Sequence, residues 1–297
     1  MLVFPPFYGN VCVYCEPWRR GAALWHLLQI GIPQGILQMD LGISGRRALV
    51  CGSSQGLGFA CAAALAREGA HVILNGRSAE KLEAAVGRLS LPPGANARYV
   101  AADLTTEDGR RAVAAAAPQI DILVTNIAGP RPGALADWDH AAWLGAFEAN
   151  MIAPMLLIRS LLPGMQQRKF GRIVNITSAM VKTPHPMMGL SSAARTALTA
   201  ACKAIARTAI ADNVTINNLL PERIDTPRQE FMVQRMMQEQ KLTREQARQQ
   251  IADSIPARRF GTSVEFADAC AYLCSAQAGY ITGQNLQVDG GAYAGLI

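Results

Sequence analysis

Short, continuous apolar segments alternate with longer amphipathic segments from residue 47 to the C-terminal end of the chain. A continuous apolar run is typical of a strand buried on both faces of a parallel sheet, whereas an apolar residue at every third or fourth position indicates a helix. We predict strands at residues 48–51, 72–74, 99–102, 120–125, 172–177, 214–219 and 285–288. We predict helices between them, the first three at residues 57–68, 80–89 and 107–116.

Strands that alternate with helices predict an α/β protein, because parallel strands need a crossover connection, which is usually a helix. The expected architecture is a single Rossmann-type domain over residues 39–297, in which a doubly wound parallel sheet carries helices on both faces. The chain has 297 residues, of which 50% are hydrophobic and 17% are charged. This composition supplies one large core and is too apolar for a disordered chain.

Residues 1–38 show no sustained hydrophobic period, and prolines and glycines interrupt them repeatedly. The apolar run at residues 21–37 contains polar residues and a proline, so it falls short of the roughly 18 uninterrupted apolar residues that a spanning helix needs. No cleavage signal of small residues follows, and a signal peptide therefore fits poorly. We expect an N-terminal extension, either disordered or an artefact of the start site, ahead of a functional chain that begins at Met39.

The net charge of +6 comes from arginines scattered along the chain, with no block of like charges. A nucleic-acid-binding protein needs a clustered basic face, so we expect a solvated surface and no nucleic-acid partner. We also expect no membrane partner, because the apolar run at residues 21–37 is too interrupted for a spanning helix.

The cysteines indicate a reducing, cytoplasmic compartment. Their number, seven, is odd, and three of them lie in apolar patterns where a free thiol packs as a small hydrophobe: Cys51, Cys61 and Cys202. Cys12 and Cys15 form a single Cys-x-x-Cys with no second pair and no histidine at ligand spacing, so we expect no metal site.

A glycine-rich turn joins the first predicted strand to the first predicted helix. Glycine lets the backbone turn tightly and approach a phosphate, while a helix N-terminus directs unpaired N–H groups at it. A tight turn made only for packing is the alternative, but the order of strand, glycine turn and helix favours a dinucleotide site. The residues expected to bind are Gly52, Ser54, Gln55, Gly56, Leu57 and Gly58.

Three motifs in this chain resemble those of the short-chain dehydrogenase/reductase family. They are the spacing Gly-x-x-x-Gly-x-Gly in the turn, Asn126-Ile127-Ala128-Gly129 after the fourth predicted strand, and Val288-Asp289-Gly290-Gly291 near the C-terminal end. The resemblance extends from Leu41 to Tyr293. It implies a cytoplasmic, homodimeric or homotetrameric enzyme that transfers a hydride between a nicotinamide cofactor and a small-molecule carbonyl or alcohol.

Arg77 follows the second predicted strand, where a carboxylate would bind the ribose of NAD. A guanidinium suits the 2′-phosphate of NADP, so NADP(H) is expected rather than NAD(H); a surface arginine in a turn is the alternative. The resemblance implies further cofactor contacts at Asp103, Leu104, Asn126, Ala128, Gly129, Pro221, Ile224 and Thr226. Glu222 replaces a family glycine, and we expect it to disturb the local backbone, because glutamate does not tolerate positive φ.

The resemblance implies four catalytic positions, and two of them are substituted. Asn150 and Ser178 match the family's asparagine and its serine, which polarises the carbonyl being reduced. Ser191 stands at the tyrosine position and Arg195 at the lysine position. A serine hydroxyl is shorter and far less acidic than a phenol, whose pKa is about 10. An arginine stays protonated, although it can still contact the nicotinamide ribose.

Two segments are expected to border the substrate. Lys182 and His185 follow Ser178 on one loop, and histidine exchanges protons near neutral pH. Our hypothesis is that one of the two donates the proton; the alternative is a solvated lysine and a packing or surface histidine. The other segment, residues 229–255, is helical, polar and methionine-rich, which fits either a mobile lid or a packed amphipathic helix.

The sequence leaves two functions open. The first is an NADP(H)-dependent oxidoreductase, similar to 3-oxoacyl reductases, with an atypical active site. The second is a catalytically weak or inactive NADP(H)-binding pseudoenzyme that acts as a sensor or oligomer partner. Both predict cofactor binding, and turnover separates them.

Overall fold

A sheet of seven parallel strands runs through the computed structural model, which describes residues 39–296. The strands are β1 (Arg47–Val50), β2 (His71–Gly76), β3 (Ala97–Ala101), β4 (Ile122–Thr125), β5 (Gly171–Ile176), β6 (Val214–Pro221) and β7 (Asn285–Val288). Their order across the sheet is β3-β2-β1-β4-β5-β6-β7. The chain winds outward in both directions from β1 and β4, which confirms the predicted doubly wound arrangement.

Helices join the strands and cover both faces of the sheet. In the described part of the chain they are α1 (Gly56–Arg67), α2 (Ala79–Gly87), α3 (Glu107–Ala116), α4 (His140–Phe147), α5 (Ala153–Gln167), α6 (Gly189–Ala209), α7 (Pro227–Gln240), α8 (Arg244–Asp253) and α9 (Ser263–Cys274). Side chains of β1 alternate between the two resulting cores. Val50 packs with Leu65 and Phe266 of α1 and α9, whereas Leu49 packs with Leu157 of α5 on the opposite face.

A π turn over Glu148–Ile152 joins α4 directly to α5. The continuous helical run His140–Gln167 is, among the described residues, the one that is long and apolar enough to cross a membrane, and 33% of its most apolar stretch is buried within the structure. A core helix of a soluble protein meets the same criteria, so length and composition alone do not establish a membrane segment.

The prediction of one helical segment over residues 229–255 is wrong in one respect. α7 ends at Gln240, and Lys241 adopts a left-handed φ of 55°. Thr243 then begins α8 with a capping box, in which its hydroxyl accepts from Gln246 N at 3.2 Å and Gln246 Oε1 accepts from Thr243 N at 2.9 Å. The sequence Thr-x-x-Gln was the available signal for this break.

The described cysteines are buried and unpaired. They include Cys51, Cys61 and Cys202 together with Cys270 and Cys274. Burial raises the pKa of the Cys51 and Cys202 thiols to about 12, so both stay protonated and pack as apolar groups. The predicted extension at residues 1–38, with its Cys-x-x-Cys pair, lies outside the described residues.

A row of polar side chains crosses four neighbouring strands. The Thr125 hydroxyl donates to Asn175 Oδ1 at 2.7 Å, Asn175 Nδ2 donates to Asn218 Oδ1 at 3.0 Å, and Asn218 Nδ2 donates to Asn285 Oδ1 at 2.8 Å. Asn175 and Asn218 are fully or nearly fully buried. Each amide therefore satisfies the next, which fixes the register of β4 to β7 where the strands reach the loops of the site.

We expect Asn218→Ala to lower the free energy of unfolding by about 2 kcal/mol, because it leaves a donor on Asn175 and an acceptor on Asn285 unpaired. Asn285→Ala, which removes only the last link, should lower it by about 1 kcal/mol. Urea denaturation of both variants measures the difference. Equal, small losses would show that the row contributes no cooperative stability.

Candidate functional site

The loops at the carboxyl ends of the strands enclose a cavity of about 990 Å³. Its position at the point where β1 and β4 diverge is the usual ligand crevice of a doubly wound sheet. All but one of the residues predicted to bind the cofactor line it: Gly52, Ser54, Gln55, Gly56, Leu57, Arg77, Asp103, Leu104, Asn126, Ala128, Gly129, Arg195, Pro221, Ile224 and Thr226. Gly58 lies behind this surface, where it packs against the turn.

The glycine turn depends on two close approaches of backbone to backbone. A Cβ atom on Gly52 would lie 2.4 Å from the carbonyl oxygen of Asn126, and one on Gly58 would lie 2.4 Å from the carbonyl oxygen of Gly52. Gly52 and Gly56 also have positive φ, 55° and 62°. Asn126 Nδ2 donates to Gly52 O at 3.0 Å and fastens the turn to the loop after β4.

The N-terminus of α1 opens on this cavity. Gln55 occupies the N-cap position and makes no side-chain hydrogen bond to the first turn. The first N–H groups of the helix therefore keep their donors for a ligand, and the positive end of the helix dipole favours an anion.

Arg77 and Asp103 lie at the same end of the cavity. Asp103 Oδ1 accepts from the backbone N–H and the hydroxyl of Thr105 at 2.9 and 2.8 Å. These bonds, with a smaller contribution from the charge of Arg77, hold the pKa of Asp103 below its usual value. Within the described residues Arg77 has no carboxylate at ion-pair distance, so its guanidinium is available to a ligand.

Ser191 and Arg195 of α6 lie against the ends of β4 and β5. Arg195 Nη1 donates to the carbonyls of Ile176 and Thr177 at 2.9 and 3.0 Å, and Nη2 donates to Ile127 O at 3.2 Å. Its Nε donates to the Ser191 hydroxyl at 3.3 Å. Burial, with a smaller contribution from Arg228, lowers the pKa of Arg195 to about 10, so this side chain remains cationic at neutral pH.

Ser178 and Asn150 lie in two adjoining cavities. Ser178 follows β5 and its Oγ accepts from Met180 N at 3.2 Å, which leaves the hydroxyl hydrogen free to donate into the main cavity. Asn150 lies on the π turn and lines a neighbouring cavity of about 560 Å³. Its Nδ2 donates to Ala146 O at 3.3 Å, while its buried Oδ1 accepts nothing from the described residues.

The structure separates the two candidate proton donors. His185 lines the main cavity, and its Nδ1 accepts from Met187 N at 3.2 Å, so the neutral ring carries its proton on Nε2. The Lys182 ammonium instead lies 5.1 Å from the centre of the Tyr293 ring and lines neither cavity.

Glu222 is a titratable side chain that lines the cavity. The sequence indicated only that it would disturb the local backbone. The expected positive φ falls on Arg223, at 51°, and not on Glu222. Glu222 Oε1 pairs with Arg223 Nε at 3.0 Å. Burial raises the pKa of Glu222 despite the opposing charges of Arg223 and His185. Arg223 therefore adopts the left-handed backbone conformation that was expected at Glu222.

One side of α7 faces the cavity, and its other side packs against α8. Met232 and Met236 line the cavity, while Met236 and Met237 also pack against the small core of Val233 and Ile251. Phe231 is exposed. The helix is therefore packed as an amphipathic helix and also covers the cavity; its mobility as a lid stays a prediction.

Comparison with known proteins places this site in context. The profile of the enoyl-(acyl carrier protein) reductase family matches residues 52–293. The NADPH-dependent reductase BacG of Bacillus subtilis (strain 168) is 31% identical over 84% of this chain and 98% of its own. Dehydrogenase/reductase SDR family member 4 of Bos taurus is 31% identical over 91% of this chain and 100% of its own.

A solved structure extends the comparison to three dimensions. L-sorbose reductase from Gluconobacter frateurii, complexed with NADPH and L-sorbose, has a TM-score of 0.83 to this chain and 31% sequence identity. The alignment covers 87% of this chain and 100% of that one.

We expect Gly58→Ala to lower the free energy of unfolding by about 2 to 3 kcal/mol, because its new methyl group meets the Gly52 carbonyl inside a packed turn. Gly87→Ala is the matched control: it lies in α2 with no atom within 4 Å of the new Cβ, and it should stabilise the chain by up to about 1 kcal/mol. Thermal unfolding measures both. A Gly58→Ala variant as stable as the parent would contradict this account of the turn.

Proposed function

The chain belongs to the short-chain dehydrogenase/reductase family, and on that premise we propose that it is an NADP(H)-dependent oxidoreductase with an atypical active site. It would transfer a hydride between nicotinamide and a small-molecule carbonyl or alcohol, in the manner of a 3-oxoacyl reductase. One observation carries the proposal: a single cavity runs from the glycine turn and Arg77 to Ser178 and His185.

The residues of the cavity fit NADPH. A side chain at Gly52 would collide with Asn126 and open the tight turn, the first N–H groups of α1 are uncapped, and Arg77 is free of carboxylates within the described residues. The turn and helix would hold the pyrophosphate, and Arg77 the 2′-phosphate. BacG and L-sorbose reductase, which are described with NADPH, support the same choice over NADH. When bound, the cofactor supplies the hydride.

The side chains of this chain would then polarise the substrate and supply a proton. Ser178 can donate its hydroxyl hydrogen to the carbonyl oxygen, and the buried charge of Arg195 favours negative charge developing there. Ser191 accepts a hydrogen bond from Arg195 Nε and keeps its own hydroxyl hydrogen, but an aliphatic hydroxyl is a poor acid. His185, with its proton on Nε2 and its place on the cavity wall, is the better supported donor, whereas Lys182 faces Tyr293.

A pseudoenzyme is the second candidate. The weakly acidic hydroxyl of Ser191 and the Arg195 guanidinium, which is protonated at neutral pH, favour it, because neither matches the family's tyrosine and lysine in proton transfer. Such a protein would bind NADP(H) as a sensor or as an oligomer partner. For either function, the buried free cysteines support a reducing, cytoplasmic compartment, and the family resemblance supports a homodimer or homotetramer.

Calorimetric titration with NADPH and NADH, together with nicotinamide absorbance over a panel of carbonyl compounds, tests the proposal. We expect tighter binding of NADPH than of NADH, and Arg77→Ala should weaken NADPH at least tenfold while changing NADH little. The exposed Arg111, which pairs with Asp108, gives the control variant Arg111→Ala. Binding of NADPH without turnover of any substrate would favour the pseudoenzyme.

His185→Ala should lower turnover at least tenfold without weakening NADPH binding, because general acid catalysis contributes on the order of 10²- to 10⁴-fold. Lys182→Ala, on the same loop, is the matched control and should keep most of the activity. Rescue of His185→Ala by added imidazole would support proton donation over a packing role. Unchanged turnover in both variants would refute a donor on this loop.

A further inference from the structure

We infer that the cavity binds a carboxylate of the substrate between Arg195, Arg228 and Gln229. The inference rests on the proposed function, since it names the substrate class of the same cavity. Arg195 reaches this place from α6, whereas Arg228 and Gln229 belong to the first turn of α7. All three line the cavity.

The two arginines donate to carbonyls of the same short segment. Arg195 Nη2 donates to the carbonyl of Ile127, and Arg228 Nη2 donates to the carbonyl of Pro130, each at 3.2 Å. Their charges are close enough for Arg228 to lower the pKa of Arg195. Two like charges in such proximity repel each other, and an anion between them would relieve that repulsion.

The carboxylates that line the cavity are already matched by other cations. Glu222 pairs with Arg223, and Glu239 pairs with Arg235. Asp103 has Arg77 nearby and accepts two bonds from Thr105. Among the described residues Arg195 and Arg228, like Arg77, have no carboxylate within ion-pair distance. Arg195 is buried, whereas Arg228 is exposed and its guanidinium lies 5.6 Å from the centre of the Phe231 ring.

The hydrogen bonds of Arg195 do not neutralise its charge. Four of its five N–H groups donate to uncharged oxygens, on Ile127, Ile176, Thr177 and Ser191. Arg195 is only 9% exposed, and an unpaired charge at that depth is costly. One Nη2 hydrogen is left for a ligand, and an anionic ligand would compensate the charge.

Gln229 is an independent sign of a missing acceptor. The residue is 7% exposed, it lines the cavity, and its Nε2 has no partner in the part of the chain that the structure describes. It lies in the first turn of α7, whose N-cap is Thr226, so the positive end of the helix dipole also faces this region. A carboxylate oxygen would satisfy the amide and both guanidinium groups.

The wall beside this charged region is apolar and adaptable. Five methionines line the cavity: Met180, Met187, Met188, Met232 and Met236. Methionine side chains accommodate varied apolar shapes. The site therefore fits a carbonyl compound that carries both a carboxylate and an apolar substituent. A phosphate of the cofactor is the other anion that could reach the same two arginines, and the experiment must distinguish the two.

Benzoylformate and its methyl ester are suitable probes, because they differ in one charge and share an aromatic ketone. Each is titrated by calorimetry into the full chain, both alone and saturated with NADP⁺. We expect the acid to bind the NADP⁺ complex at least tenfold more tightly than the ester. Equal affinities, or no binding of either probe, would overturn the inference.

Arg228→Gln should abolish the preference for the acid and leave the affinity for NADP⁺ within about twofold. Arg235→Gln is the matched control, since Arg235 lies on the same helix, lines the cavity and already pairs with Glu239. If Arg228→Gln weakens NADP⁺ tenfold and the acid keeps its preference, the arginines serve the cofactor and the inference is wrong.

The proposed function and the carboxylate site are tested by separate measurements. A chain that does not bind NADP⁺ or NADPH contradicts the oxidoreductase, whereas the titration of acid and ester into the protein alone still tests the carboxylate site. A preference for the acid without cofactor binding would support the site and refute the proposed function. No turnover is needed for either measurement.

Discussion

The hydrogen bonds of the Arg195 guanidinium hold together the chain segments that frame the cavity. They run from α6 to the carbonyls at the end of β5 and to Ile127 in the loop after β4. A guanidinium can do this because it presents five N–H groups in a planar fork, whereas an ammonium presents three from a single atom. Arginine at this position thus shapes the cavity in addition to charging it, and the partnership of Ser191 with its Nε follows from the same geometry.

The strand positions could be predicted because burial on both faces of a parallel sheet leaves a plain apolar signature, as in the predicted segments 48–51 and 120–125. Boundaries and the helix break at Lys241 depend on capping and backbone conformation, which the apolar pattern reports poorly. In the site, the glycine turn was predictable because only glycine permits its close approaches. The separation of His185 from Lys182 depends on long-range packing and could not be predicted. The same holds for Arg195, which has no counter-charge among residues 39–296.

Cofactor binding and proton transfer rest on different parts of the chain. The turn that would hold the dinucleotide is made of backbone atoms packed so closely that a side chain at Gly52 or Gly58 would collide with them. Proton transfer needs particular side chains at particular atoms. Under the proposed function, the first kind of site would persist with Ser191 and Arg195 at their positions, and the second would be built around other groups. Such independence lets one framework carry different chemistries.

The π turn over Glu148–Ile152 has a consequence for how this part of the chain can vary. A π turn contains one residue more than an α-helical turn. The side chains of α5 are therefore rotated about the helix axis by about 100° from the positions that a regular helix would give them. Asn150 lies within the π turn. Amino-acid replacements leave the number of residues in the turn unchanged. The deletion of one residue would restore a regular helix and rotate Asn150 away from the cavity that it lines. Relatives of this chain should therefore tolerate replacements around the turn more readily than deletions within it.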